Sequence, residues 1–429
     1  MNGDELTEGK SMEYFKIRGG NKLSGSVEIT SAKNAVLPIL ASTVLTKSDV
    51  KIKNCSRLTD VTAMLNIIKS IGGKADYDGR GVTVSCRDCE PDFIKSELTG
   101  GIRSSIFILG PILSRFRRAA ISYPGGCEIG LRPIDLHIFG LKKLNVSVRE
   151  ENGMLICDGM HMRAGEIDLD FPSVGATENI MMAAVLLDGT SVIRNAAREP
   201  EIADLAGFIN SIGGKIYGAG TDTIVIEGVN ELGGGEYSPV VDRIAGGTFL
   251  TACAACGGKI DLAGLTLENV HSITEKLVRA GCEIDGGNDF VSIKADRRMN
   301  AVHKIETQPF PGFPTDMQAQ FVAMLSTADG CSVMVENLFE NRYKYTVQLN
   351  KMGAKITVKD RVAVVKGVKK LRGGKVDAED LRGGAALVIA ALSAEGESSV
   401  YGVRHIDRGY CSLEESFAGL GADVKRVTE

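Results

Sequence analysis

Cys127 stands in the stretch Ser122-Tyr-Pro-Gly-Gly-Cys-Glu-Ile-Gly-Leu-Arg-Pro-Ile-Asp-Leu-His137, five residues before Arg132. Gly125, Gly126 and Gly130 leave the backbone there free to move, which is a poor setting for a structural cysteine. The thiol, the Arg132 guanidinium, the Asp135 carboxyl and the His137 imidazole are groups that shuttle a proton or hold an anion. For a thiol in such a loop, nucleophile, metal and redox readings all stand open.

Other chemistry-bearing residues recur in register. Lys33-Asn34, Arg103-Ser104, Ser173-Val174-Gly175, Asp242-Arg243, Thr315-Asp316 and Leu381-Arg382 each stand just before an apolar, helix-like run. A helix start carries unpaired N–H groups and the positive end of the dipole, so it attracts anions, and a Lys or Arg placed there strengthens the pull. Loops ahead of the second helix of successive units form another set: Cys127 to Arg132, Arg198 to Glu201, Glu340 to Arg342, and His405 to Arg408. The register predicts a cleft lined by Lys33, Arg103, Arg132, Arg382 and Arg408, with Cys127 and Asp316 as its proton-transfer groups. Taken singly, an Arg or Lys is most often a solvated surface residue, so the repetition carries the argument.

The elements that must position these residues also repeat, with a period of roughly 70 residues. The marker is a helix end running into a strand: Ile71-Gly-Gly-Lys-Ala75, Leu144-Asn-Val-Ser-Val148, Ile212-Gly-Gly-Lys-Ile216, Ala280-Gly-Cys-Glu-Ile284, Met352-Gly-Ala-Lys-Ile356 and Leu420-Gly-Ala-Asp-Val424. In five of the six a glycine suits the position after a helix, where positive φ is cheap without a Cβ. In the first unit a helix is expected from Asn34 to Leu45 with Ser31 as its cap, followed by a strand from Val50. Thr59 opens a second helix, with Val61, Met64, Leu65 and Ile68 on one face. A hairpin turning at Asp78-Gly79 closes the unit.

The fold class expected is therefore α/β, six units in two groups of three. The glycine-rich stretch Gly228 to Pro239 and a second crossing near residue 30 separate them. This gives one domain over 31–240, carrying Cys127, and a second made of 12–30 with 241–429, carrying Asp316, Arg382 and Arg408. The active site is expected in the cleft between them. Residues 1–11 read as a polar, disordered extension.

A net charge of -4 excludes a broadly basic, nucleic-acid-coating surface, so any anion site is local. Every long apolar run is broken by Gly or a polar residue, and neither a signal peptide nor a membrane span is expected. The ten cysteines are scattered and read as reduced thiols of a cytoplasmic protein. Cys86-x-x-Cys89 and Cys253-x-x-Cys256 lack a nearby histidine pattern, so no metal site is expected.

Ser31-Ala-Lys-Asn-Ala35, Pro124-Gly-Gly-Cys127, Arg132-Pro-Ile-Asp-Leu-His137, Ser173-Val-Gly-Ala-Thr177, Ala197-Arg-Glu-Pro-Glu-Ile202, Phe313-Pro-Thr-Asp-Met-Gln318 and His405-Ile-Asp-Arg-Gly-Tyr410 occur in order through the units. Together they resemble the UDP-N-acetylglucosamine 1-carboxyvinyltransferase family, from about Met12 to the C-terminus. The resemblance implies the two-domain inside-out α/β barrel of the enolpyruvyl transferases, built from six βαβαββ repeats. It also implies transfer of the enolpyruvyl group of phosphoenolpyruvate to the 3′-hydroxyl of UDP-N-acetylglucosamine with release of phosphate, the first committed step of peptidoglycan precursor synthesis, with no cofactor.

Carried over residue by residue, the family's roles imply that Lys33, Asn34, Arg103, Arg132, Arg382 and Arg408 hold phosphoenolpyruvate. Paired guanidinium groups suit its phosphate and carboxylate. Asn34, Arg103, Arg132, Pro133, Ile134, Asp135, Leu136, Ser173, Val174, Gly175, Asp316 and Leu338 are implied to contact the nucleotide sugar. Backbone N–H groups of Ser173 to Gly175 suit its diphosphate, and Asp135 suits the uracil edge, with helix capping as the competing role for Asp135. Lys33 and Arg408 join Cys127 and Asp316 in the implied catalytic set. Cys127, still protonated near neutrality, would deliver a proton to the methylene carbon. Asp316 would accept the hydroxyl proton or orient the hydroxyl; the residues leave both roles open.

Fosfomycin is the implied covalent inhibitor at Cys127. Phe171 stands where some relatives carry a lysine near the diphosphate, and Ala245-Gly246 and Lys344-Tyr345 also depart from the pattern. The competing functions are 3-phosphoshikimate 1-carboxyvinyl transfer and a non-catalytic UDP-sugar-binding paralogue.

Overall fold

The computed structural model describes residues 12–91, 93–125, 134–296 and 298–429. Among these residues the principal strands form six sheets, five of four strands and one of three. The sheet around Thr190–Arg194 shows the plan: it runs parallel to Glu166–Asp168, with Ile193 opposite Ile167, and antiparallel to Thr223–Glu227, with Ser191 opposite Ile226. A parallel pair needs a crossover, which the helix Val174–Ala184 supplies; the antiparallel pair Lys215–Tyr217 and Thr223–Glu227 needs only a turn. In Thr223–Glu227 the side chains of Ile224 and Ile226 are buried and alternate with more exposed neighbours, the pattern of a sheet with one wet face.

The crossover helices are buried on nearly every side. Leu381–Ser393 buries Arg382 through Leu392 without interruption, and Arg243–Cys256 and Gln318–Leu325 are similarly enclosed. Helices apolar all round belong in the middle of a domain, so these three sit in the interior. Two cores result. One is assembled from residues between Val36 and Leu232, the other from Phe15 to Ile29 together with Ile244 to Val424.

The chain passes twice between these halves. Leu23–Glu28 lies parallel to Gly258–Ala263, while Gly235–Tyr237 lies parallel to Val50–Lys53. The two crossings are tied together: Ser31 and Val241 form an antiparallel bridge, Ala32 N donates to Val240 O at 2.8 Å, and Asp242 N donates to Thr30 O at 2.8 Å. The strand Glu13–Arg18 lies between Glu397–Tyr401 and Asp423–Thr428, so the first described strand completes the last sheet.

The marker positions all have left-handed backbone: Gly72, Gly213, Gly281, Gly353 and Gly421 have φ between 89° and 107°, and Asn145 takes 64°. Asparagine is the side chain that tolerates this region best, which explains the one marker without glycine. One expectation fails. The first helix is Lys33–Ser42 followed by a single-turn 3-10 segment, Thr43–Leu45, and its cap position is Ala32 without a side-chain bond. Ser31 is drawn into the bridge with Val241 instead, and its Oγ is buried without a hydrogen-bond partner.

Candidate active site

A cleft of about 580 Å³ is lined by residues from both halves. Helix starts converge on it. Lys33 opens Lys33–Ser42, Arg103 opens the 3-10 segment Arg103–Ile108, Ser173 caps Val174–Ala184, and Asp316 lies in the 3-10 turn Thr315–Met317. Several positive helix ends with Lys and Arg in one concavity make it suited to a multiply charged anion.

Asp60, on the helix Thr59–Ser70, organises two of the cations. Its Oδ2 accepts from Lys33 Nζ at 3.1 Å, and its Oδ1 accepts from Arg408 Nε at 2.9 Å. Burial alone would raise the Asp60 pKa; the Lys33 and Arg408 charges outweigh it and hold the carboxyl below its usual range. Arg408 comes from the other core, so this ion pair also closes the two halves on each other.

Asp316 sits between two guanidinium groups. Arg342 Nη2 donates to Oδ1 at 2.7 Å and Arg382 Nη2 donates to Oδ2 at 2.8 Å. Burial pushes its carboxyl up, but Arg382 and Arg342 pull it far below the usual carboxylate range, with Lys33 adding to the effect. Arg382 is itself anchored by donation to the Tyr410 hydroxyl at 3.1 Å. A carboxylate held this way is a strong hydrogen-bond acceptor and a weak base.

The opposite wall carries Ser173, Val174 and Gly175, with Asp135, Leu136 and Phe171 beside them. Ser173 Oγ accepts from Ala176 N at 3.4 Å. A Cβ on Gly175 would sit 3.2 Å from the His137 ring, a tight contact that the glycine avoids. His137 is fixed by Asn179. Asn179 Oδ1 accepts from Gly110 N, leaving its Nδ2 to donate to His137 Nδ1 at 3.1 Å, so the His137 proton resides on Nε2. Burial, with Arg103 nearby, pushes the His137 pKa down to about 3, and the ring is neutral.

Leu338 reaches the cleft on a loop held by Glu336. This fully buried carboxylate accepts from the Thr307 hydroxyl at 3.0 Å, the Thr315 hydroxyl at 2.8 Å and Leu338 N at 2.9 Å. The same group thereby fixes the Leu338 loop relative to the turn bearing Asp316. Between the halves, Glu201 accepts from Arg243 Nε at 3.1 Å, and Phe310 N donates to Glu199 at 3.3 Å.

The cleft brings together Lys33, Asn34, Arg103, Arg408, Asp316 and Leu338 with Asp135, Leu136 and Ser173 to Gly175. Arg382 is buried behind Asp316 and does not line the cleft, and Ile134 is buried beneath the wall. The helix after Ile134 begins at Asp135 with Ile134 as its cap residue, so Asp135 does not serve as the cap. Arg198 is exposed and lies outside the lining residues. Cys127, Arg132 and Pro133 lie outside the described residues. Of the departures from the family pattern, Phe171 lines the cleft and Tyr345 is buried, donating to Gln318 Oε1 at 2.8 Å.

Sequence reasoning missed Asp60 and Glu178, and reached Glu336 only as part of the Val335 to Leu338 stretch that the resemblance implies for the nucleotide sugar. Asp60 carried one usable signal, an acid in the first turn of an amphipathic helix otherwise turned toward the core. Among the described residues no group of three or more His, Cys, Asp or Glu side chains is placed to hold a metal ion, and no helix is long and apolar enough to cross a membrane.

The family model for EPSP synthase (3-phosphoshikimate 1-carboxyvinyltransferase) matches residues 17–417. UDP-N-acetylglucosamine 1-carboxyvinyltransferase 2 of Caldanaerobacter subterraneus subsp. tengcongensis is 51% identical over 416 residues, covering 97% of this chain and 100% of that protein. UDP-N-acetylglucosamine 1-carboxyvinyltransferase of Trichlorobacter lovleyi is 45% identical over 419 residues, covering 97% and 100%. Among solved structures, the enolpyruvyl transferase NikO from Streptomyces tendae superposes with a TM-score of 0.88 at 23% identity, covering 98% of this chain and 100% of that one. EPSP synthase from Acinetobacter baumannii gives a TM-score of 0.74 at 15% identity, covering 97% and 100%. These structural likenesses bear on the fold.

Proposed function

The chain belongs to the UDP-N-acetylglucosamine 1-carboxyvinyltransferase family of enolpyruvyl transferases, and from that premise we propose that it moves the enolpyruvyl group of phosphoenolpyruvate to the 3′-hydroxyl of UDP-N-acetylglucosamine. The observation that carries the reading is the gathering of Lys33, Arg103 and Arg408 with Asp316 in one cleft, opposite the helix start Ser173 to Gly175. The product would enter peptidoglycan precursor synthesis in the cytoplasm. Two domains, 31–240 and 12–30 with 241–429, each an inside-out barrel of three βαβαββ units, would form the walls.

The cations face a donor with a phosphate and a carboxylate. Arg103 and Arg408, with Lys33 and Arg132, bind those anionic groups, and Arg382 acts from behind through Asp316. Ser173 to Gly175 offer backbone N–H groups to the acceptor's diphosphate, and Asn34, Asp135, Leu136 and Leu338 frame the rest, with Pro133 and Ile134 in the same stretch.

In the addition step the Cys127 thiol gives its proton to the methylene carbon of phosphoenolpyruvate while the 3′-oxygen bonds to the adjacent carbon. Asp316 accepts the hydrogen bond of the attacking hydroxyl and orients it. Held by Arg342 and Arg382, it is a weak base that takes up the hydroxyl proton only as the new carbon–oxygen bond forms and makes that hydroxyl strongly acidic. In the elimination step the new methyl group returns a proton to the Cys127 thiolate, the carbon–oxygen bond to phosphate breaks and the double bond returns, and phosphate leaves with the proton that Asp316 had taken up. Closure of the two halves around these charges excludes water and strengthens every electrostatic contact.

Phosphate release measured with phosphoenolpyruvate and each acceptor tests the reading. Release with UDP-N-acetylglucosamine and none with shikimate 3-phosphate is expected. Release only with shikimate 3-phosphate would assign the other carboxyvinyl transfer, and tight UDP-sugar binding without release would make the chain a binding paralogue.

A further inference from the structure

Glu178 lies one turn along the helix Val174–Ala184 from its capped start, lines the cleft, and is fully buried. Neither of its carboxyl oxygens has a hydrogen-bond partner among the described residues. Buried polar groups are almost always paired, and one left bare inside a binding cleft is a feature to be explained by what enters the cleft. Its neighbours do not provide the match. Glu201 is committed to Arg243, and Glu199 takes the Phe310 N–H with Oε1 while its Oε2 is also unpartnered. Among the described residues no cation pairs with Glu178, so an ionised carboxylate there would be uncompensated.

We propose that Glu178 is a specificity-determining residue that hydrogen-bonds a hydroxyl of the acceptor's sugar. The inference rests on the acceptor assigned above and adds the contact that distinguishes the sugar from the nucleotide. Four residues of helix span about 6 Å, so Glu178 lies within one sugar ring of the Ser173 to Gly175 start that faces the diphosphate. Burial, with Glu201 and Glu199 adding their charges, holds its carboxyl well above the usual range. Beside an anionic diphosphate the neutral acid is the favourable form, and it offers one O–H donor and one carbonyl acceptor, the complement of a hydroxyl. A site built to pair a substrate hydroxyl rejects ligands that lack it, because the buried group is then left bare.

Calorimetry of UDP-N-acetylglucosamine and of UDP alone on the full chain, in wild type, Glu178→Gln and Glu178→Met, tests this. Wild type should bind the UDP-sugar more tightly than UDP. Failure of that comparison overturns the acceptor reading itself. Glu178→Met should lose about tenfold or more of the affinity for the UDP-sugar and keep its affinity for UDP, which also shows that the variant is folded. Glu178→Gln, which retains a donor and an acceptor, should stay within about threefold of wild type for both ligands. Equal affinity ratios in wild type and Glu178→Met, or a loss in Glu178→Gln as large as that in Glu178→Met, would overturn the proposal. If Glu178→Met also loses UDP binding, infrared difference spectra of wild type against Glu178→Gln decide: a protonated-carboxyl band should shift on adding the UDP-sugar and not UDP, and an unmoved band overturns the proposal.

Discussion

Arg408 and Asp60, 348 positions apart in sequence, are joined from Nε to Oδ1 at 2.9 Å. The same carboxylate holds Lys33 Nζ at 3.1 Å, so one side chain of the first half sets two cations of the cleft, one of them from the second half. Asp60→Asn should cost about 2 kcal/mol of stability at neutral pH, the worth of charged hydrogen bonds partly open to water. Because the folded carboxyl has a lowered pKa, its contribution is present above the unfolded value of about 3.9 and lost as pH falls through the folded one. The gap between wild type and variant in thermal unfolding should therefore narrow on acidification. A gap that widens toward acid pH would remove the ion-pair explanation. The variant should also raise the KM for phosphoenolpyruvate more than that for the acceptor.

Asp316 is flanked so closely by Arg342 and Arg382 that it stays ionised across the working pH range. The sign follows directly. A depressed pKa means the carboxylate persists as pH falls, so kcat should show no Asp316 titration between about pH 8 and 5. Asp316→Asn should lower kcat about 100-fold or more while the acid side of the profile keeps its shape. An acid limb present in wild type and missing in the variant would assign Asp316 an ordinary carboxylate pKa and contradict the two-guanidinium geometry.

What could be read from the sequence was what depends on neighbours along the chain. The helix-to-strand markers were legible because positive φ selects Gly, or Asn at 145, whatever surrounds it. Helix starts bearing Lys33, Arg103 and Ser173 were legible for the same reason, and the cleft gathers them. Asp60 was legible only as an acid in the first turn of an amphipathic helix, since the partners that give it a role lie 27 and 348 residues away. Ser31 shows the converse: a good local cap is overruled by its long-range bridge to Val241. Arg382 was readable as a cation of the site but not as one turned onto Asp316, because that depends on how two units face each other.

Phe171 puts an aromatic ring at the cleft wall, its carbonyl accepting from Ser173 N at 2.8 Å, where a cation would face the positive helix start and any bound diphosphate. Phe171→Lys should tighten UDP-N-acetylglucosamine binding up to about fivefold at low ionic strength, with the gain shrinking as salt rises. Calorimetry at two salt concentrations checks it. A gain independent of salt would mean that lost ring contacts, and not added charge, control the affinity.

Cys127 should be the thiol that fosfomycin alkylates, and the other cysteines give the comparison. Burial pushes Cys55 up to about 11 and Cys157, Cys253 and Cys282 up to about 12, so they are protonated and enclosed at neutral pH. Cys331 and Cys411 are exposed and serve as the internal controls for unselective alkylation. Peptide mass spectrometry after brief exposure should place the adduct on Cys127, and Cys127→Ala should abolish both the adduct and phosphate release while leaving UDP-N-acetylglucosamine binding intact. An adduct on Cys331 or Cys411 at the same rate would show only general thiol reactivity. Full phosphate release by Cys127→Ala would move the proton donor to another residue.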